Sequence, residues 1–245
     1  MGQVISVTSG KGGTGKTTIC AGVASCLAAE GHRVLCIDAD LGLRNLDISL
    51  GMQELAPITF ADVLLGRYRL EDATPHPAIP NLFLLSSPVA ERPETIRYQD
   101  FAALLVRARE LFDFCLIDSP AGIGDGFHLA CLFADRVLII ATPDPASLRD
   151  AAATADQLRL LEQEDLAMIV NRVTPGLFRS LDWTVDDMMD RTGLRLLGLI
   201  PEDKNVVRSA AENQPLILCT DRKAARACLH IARRLCGEHI PLSIR

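Results

Sequence analysis

The sequence predicts an α/β fold, a mostly parallel sheet covered by helices on both faces, in one domain spanning residues 1–245. Three observations carry this. Apolar runs of strand length alternate with longer stretches of helical period, and that alternation requires crossover connections between parallel strands. The chain has 245 residues, 49% of them apolar, which is enough for a large core. No linker, low-complexity block or internal repeat divides it.

In chain order, Gln3–Thr8 reads as a buried strand, Lys16–Glu30 as a helix and Arg33–Ile37 as a second strand. Further strands are expected at Leu82–Ser86, Phe114–Ile117, Arg136–Ala141, Leu166–Val170 and Leu196–Ile200. Tyr98–Leu111 and Ala146–Leu161 read as helices, the second apolar on one face and charged on the other. Proline-rich Thr74–Asn81 (TPHPAIPN) is expected to be a surface excursion within the domain. Ligands of open parallel sheets bind beyond the carboxyl ends of the strands. The chemistry-bearing motifs of this chain each come directly after a predicted strand.

The formal net charge is −6 with both signs interspersed, so no specific nucleic-acid binding is expected. Eight cysteines include no C-x-x-C pair, which excludes zinc-ribbon and thioredoxin-like readings. Most lie in apolar runs such as VLCIDAD and FDFCLIDSP and read as buried thiols of a reducing compartment. The start MGQVISVTSGKGG lacks the basic and apolar regions of a signal peptide. Gly2 raises the question of myristoylation, but a buried strand comes next. No apolar run reaches membrane-spanning length. These features point to the cytoplasm.

After the first strand comes Gly10-Lys11-Gly12-Gly13-Thr14-Gly15-Lys16-Thr17, which fits G-x-x-x-x-G-K-[ST] between a strand and a helix. Glycines let successive backbone N–H groups converge on phosphate oxygens, and the helix adds its positive N-terminal end. Lys16 then reaches the β- and γ-phosphates and the Thr17 hydroxyl holds Mg²⁺. This is the signature of a P-loop NTPase. For the second lysine, Lys11, the pattern leaves two readings about even: a solvated loop residue, or a charge supplied to the transition state as an arginine finger is.

The second strand ends in Asp38-Ala39-Asp40, where one carboxylate can meet the Mg²⁺ shell and the other orient water; turn chemistry is the alternative. The run FDFCLID ends at Asp118, the Walker B pattern of a Mg²⁺-holding carboxylate. Ser119–Gly124 comes next as a segment suited to sensing the γ-phosphate. After Leu166–Val170 comes Asn171, whose amide can pair with N6 and N7 of adenine, unless it is only a turn residue. The loop Pro201-Glu202-Asp203 can offer groups to the other edge of the base. No T/NKxD guanine signal stands at Asn171, which favours ATP over GTP.

Lys11-Gly12-Gly13-Thr14-Gly15-Lys16-Thr17-Thr18 resembles the deviant Walker A motif of the MinD/ParA ATPase family, SIMIBI-type P-loop NTPases. Ile37–Gly51 and Ile117–Ile123 resemble the family's two switch segments, and Gly198–Ile217 its adenine-side loop and helix. The likeness spans nearly the whole chain and is closer to the division-site members than to the plasmid-partition members. It implies an ATP-sandwich homodimer in which Lys11 crosses to the partner's ATP. It also implies that Lys16 binds phosphate, that Thr17, Asp38 and Asp118 surround Mg²⁺, that Asp40 positions the attacking water and that Asn171 reads adenine. The phosphate and base contacts then include Gly10, Gly12, Gly13, Thr14, Gly15, Thr18, Pro201 and Asp203. Implied partners are a MinC-like septation inhibitor and a MinE-like activator, meeting a surface near Ser147–Asp150. The tail departs from the family pattern. Arg222–Cys236 reads as a helix with Cys228, Ile231 and Leu235 on one face, but it lacks aromatics, and Pro241 interrupts the last residues. It is expected to close the domain rather than to target the inner membrane face.

The alternatives are a flagellar-number regulator, whose extra glutamine-containing N-terminal segment has no counterpart before the first strand, and a ParA-type partition ATPase, disfavoured by the acidic balance. A nucleotide-dependent iron–sulfur carrier is the rival of another class. It would use Cys115 or Cys131, the cysteines nearest the second switch, although Cys115 falls inside a strand.

Overall fold

Strands buried on both faces must be apolar throughout, and the central runs of this chain are. In β1 (Gln3–Thr8) all residues after Gln3 are buried, and so is every residue of β2 (Val34–Asp38) and β5 (Phe114–Asp118). The computed structural model describes residues 1–41, 44–88, 96–174, 176–177 and 183–242. Gly42 and Leu43 of the expected first switch and Ser243–Arg245 of the tail lie outside the described residues.

With β3 (Thr74–Pro75), β4 (Leu82–Leu85), β6 (Arg136–Ala141), β7 (Leu166–Val173) and β8 (Arg195–Pro201), the strands form one sheet in the order β3-β4-β2-β5-β1-β6-β7-β8. All neighbours are parallel except β3 and β4. Because β1 lies between β5 and β6, the loop after β1 opens where the strand order reverses, the place for a ligand crevice.

Helices cover both faces. On one side α1 (Lys16–Ala29), α2 (Leu46–Ser49), α9 (Leu216–Cys219) and α10 (Lys223–Leu235) share a core with Ile5, Val7, Cys36 and Leu116. On the other, α3 (Phe60–Leu64), α4 (Tyr98–Leu111), α5 (Asp125–Cys131), α6 (Pro145–Leu160) and α7 (Val185–Thr192) pack on Val4, Leu35, Ile117 and Ile139. Between β8 and α9 lies α8 (Lys204–Ala211).

Two expectations change. Thr74–Asn81 is more than a surface excursion: Thr74 and Pro75 pair antiparallel with Leu84 and Phe83, at the sheet edge where proline is tolerated. Its His76 is buried, Nε2 donating to the Leu50 carbonyl at 2.8 Å and Nδ1 accepting from Ala78 and Ile79. The strand read as Leu166–Val170 continues to Val173 through an irregularity in its pairing. The short helices α2, α3, α5, α7, α8 and α9 carry too few turns to show a period. Capping boxes at Thr59/Asp62 and Thr184/Asp187 start two of them.

The terminal helix docks as its pattern implies, with Cys228, Ile231 and Leu235 buried. It lies so close to its neighbours that a Cβ on Gly22 would stand 2.8 Å from Cys228 Sγ, and one on Gly198 2.5 Å from Ile231. Among the described residues no helix is long and apolar enough to cross a membrane.

Candidate nucleotide site

The loop between β1 and α1 curls on two glycines in the left-handed region, Gly13 (φ 80°) and Gly15 (φ 93°). Gly15 is also fixed by space: a Cβ there would lie 2.3 Å from Asn171 Nδ2. As the N-cap of α1 it has no side chain to bond the first-turn N–H groups, which leaves the positive end of a four-turn helix facing the loop. Lys16, at the first position of α1, is only 8% exposed, and its Nζ stands 3.9 Å from Asp118 Oδ1.

Asp38 and Asp118 are register partners at the carboxyl ends of β2 and β5, so the sheet holds them side by side. Burial pushes the Asp118 carboxyl up to about 7, against the pull of Lys16 and the Thr17 hydroxyl. Its Oδ1 is buried without a hydrogen-bond partner among the described residues. Asp38 is pushed up to about 6, again by burial, although it accepts backbone N–H groups of Asp40 (3.0 Å) and Leu46 (3.2 Å). Asp38 therefore does the turn chemistry that was its alternative reading, within the same cluster. Half-buried Asp40 is also raised by burial, opposed by Lys16. Crowded carboxylates with an orphaned oxygen, beside one ammonium and a threonine hydroxyl, are a hard-oxygen donor set suited to Mg²⁺.

Lys11 lies elsewhere. Its Nζ is 3.3 Å from Asp144 Oδ1, both side chains partly exposed at 37% and 43%. Asp144 caps α6 by accepting from Ser147 N (2.9 Å) and also accepts from the Thr142 hydroxyl (2.6 Å). Nothing in the sequence pairs these two residues. The Asp144-Pro145 start of α6 is a legible N-cap signal, but its contact with Lys11 depends on how the loop and the helix meet.

Asn171 Nδ2 donates to the Thr14 carbonyl at 2.8 Å, which ties the end of β7 to the phosphate loop. A cavity beside it is lined by Gly15, Thr18, Asn171, Pro201 and Asp203, which brings the predicted base-side residues together. Asp203 is a wall of this cavity. Oδ1 accepts from Asn205 at 3.0 Å and Oδ2 from Ala224 N at 3.3 Å, so its carboxylate is occupied by N–H donors. The sequence reading missed Arg172 and the apolar floor of Ile19, Leu216 and Cys228. Cys115, inside β5, and Cys131, at the end of α5, are both buried, and burial pushes both thiols up to about 12.

Comparison with known proteins agrees with this geometry. The model of the CobQ/CobB/MinD/ParA nucleotide binding domain family matches residues 5–216. The chain is 36% identical over 249 residues to the septum site-determining protein MinD of Synechocystis, covering 98% of this chain and 92% of that protein. It is 36% identical to MinD of Thermotoga maritima, covering 99% and 91%. Among solved structures, MinD in the MinC:MinD cell division complex of Aquifex aeolicus superimposes with a TM-score of 0.90 at 35% identity, covering 98% of each chain. MinD of Pyrococcus horikoshii with Mg-ADP gives 0.82 at 30%, covering 96% of each. A ParA family ATPase of Chlorobium tepidum gives 0.81 at 22% identity, a likeness of fold alone. Phosphate loop, strand-end carboxylates, sheet order and full-length similarity converge: the chain belongs to the MinD/ParA family of nucleotide-binding P-loop ATPases and groups with its MinD members.

Proposed function

We propose that this chain is a Mg²⁺-dependent ATPase that works as a dimerisation switch in division-site placement. The observation that carries it is the buried Lys16–Asp118 pair at the phosphate loop, with an Asp118 oxygen unsatisfied among the described residues. The loop N–H groups and Lys16 would bind the β- and γ-phosphates, and Thr17 and Asp118, with Asp38 beside them, would hold Mg²⁺. Mg²⁺ held there would supply charge neutralisation at the phosphates. Asp40 orients the water that attacks the γ-phosphorus, breaking the bond to the β-phosphate oxygen and leaving ADP and phosphate. Asn171, with Pro201 and Asp203 as cavity walls, receives the adenine.

Lys11 is the moving part. To cross to a partner's nucleotide it must leave Asp144, and an ion pair this exposed is worth no more than about 1 kcal/mol. A charge-assisted contact to phosphate in a drier interface is worth about 1.5–3 kcal/mol, so two ATP-bound copies outweigh the tether. The Aquifex aeolicus relative, solved with MinC, makes a MinC-like inhibitor the expected partner, with a MinE-like activator completing the cycle. The work is cytoplasmic, and α10, whose apolar residues Ile231 and Leu235 are buried, is not itself a membrane anchor.

Steady-state ATP hydrolysis with and without Mg²⁺ tests the chemistry. Lys16→Ala should abolish tight ATP binding or turnover; a Lys16→Ala protein hydrolysing ATP like the wild type would sink the assignment.

A further inference from the structure

The end of β7 holds an irregularity aimed at the cavity. From Leu166 to Val170 the side chains alternate, with Leu166, Met168 and Val170 in one core and Ala167 and Ile169 in the other. Continued alternation would send Val173 to the α1 side. Val173 instead lies in the same core as Val170, and the pairing with β8 steps from Val170–Leu199 to Val173–Pro201. Three steps on β7 thus face two on β8, a bulge of one extra residue. Within it Arg172 has φ 59°, the left-handed region that non-glycine residues rarely occupy. The result is that two consecutive residues, Asn171 and Arg172, both line the cavity with Gly15 and Pro201. Asn171 is tied to Thr14, whereas exposed Arg172 has no side-chain hydrogen bond or ion pair among the described residues. Strain retained beside a ligand cavity, serving to aim a side chain without a partner, points to a contact made when the cavity fills.

We propose that Arg172 is a base-clamping residue, its guanidinium plane lying on one face of the purine. This rests on the nucleotide reading of the site. A guanidinium is planar, always charged and weakly hydrated, and it stacks on aromatic rings where an ammonium does not. Edge recognition by Asn171 selects adenine among purines, while a face contact by Arg172 favours a large ring system over a pyrimidine. Arg172 therefore contributes affinity through the base and not through the phosphates.

Equilibrium binding of MgATP, MgUTP and magnesium tripolyphosphate, which has no base, separates the two contributions. Arg172→Ala should weaken MgATP about tenfold, narrow the preference for MgATP over MgUTP and leave tripolyphosphate within twofold. Arg172→Gly, which suits the left-handed backbone, should behave like Arg172→Ala and so separates loss of the side chain from distortion of the bulge. Arg172→Lys should recover little of the loss. Equal weakening of MgATP and tripolyphosphate would make Arg172 a phosphate ligand and overturn the inference, as would unchanged MgATP affinity in Arg172→Gly. A wild-type protein that binds neither ligand would overturn the nucleotide reading itself, and the clamp with it.

Discussion

Asp118→Asn should stabilise the nucleotide-free protein at pH 8 while removing Mg²⁺-dependent hydrolysis. The Asp118 carboxyl is 1% exposed and burial lifts it from 3.8 to about 7, despite Lys16 Nζ at 3.9 Å. A carboxyl raised on folding contributes stability that is full below the unfolded value and is lost as pH rises through the folded one. The window here runs from about pH 4 to about pH 7. Above it, ionised Asp118 costs on the order of 4 kcal/mol. An amide of the same shape avoids that ionisation, and because the lift to about 7 is already net of the Lys16 attraction, a gain approaching ~4 kcal/mol at pH 8 is expected. Urea unfolding without nucleotide, repeated from pH 4 to pH 8, reads this directly. The gain of Asp118→Asn should be small at the acid end, grow with pH and level off above 7. A variant no more stable than wild type at pH 8, or a gain independent of pH, would refute the reasoning.

The same geometry sets three further outcomes. Asp40→Ala should keep MgATP affinity and lose turnover, because the water loses its acceptor while the phosphate contacts stay; single-turnover hydrolysis checks this. Ile231→Ala should cost about 2–5 kcal/mol in urea unfolding, since the side chain is fully buried where α10 meets Gly198. The chain 1–245 should sediment weakly with anionic vesicles even with ATP, because Ile231 and Leu235, the best apolar residues of α10, face the core.

The sheet was legible because its strands carry a strong signal. Gln3–Thr8, Phe114–Asp118 and Arg136–Ala141 are largely apolar runs that end at a motif or a turn, and they appear within a residue of where the pattern puts them. The phosphate loop was legible because its glycines are demanded by backbone geometry, as Gly15 against Asn171 shows. The edge strand at Thr74–Pro75 was not, since two paired residues make no period and the prolines point the other way. Neither was the bulge at Arg172, because an inserted residue leaves composition unchanged and shows only as a shift in which core Val173 enters. The Lys11–Asp144 contact joins residues 133 positions apart, and no local pattern encodes it.

An ATP-driven switch requires Lys11 to leave Asp144 and complete a partner's site. Sedimentation velocity of the slow-hydrolysing Asp40→Ala protein in saturating MgATP, with and without Lys11→Ala, tests this most directly. Asp40→Ala should double in mass on adding MgATP, and the double variant should still bind ATP yet stay a monomer. Dimerisation of the double variant equal to that of Asp40→Ala, or an Asp40→Ala protein that remains monomeric with ATP bound, would contradict the switch.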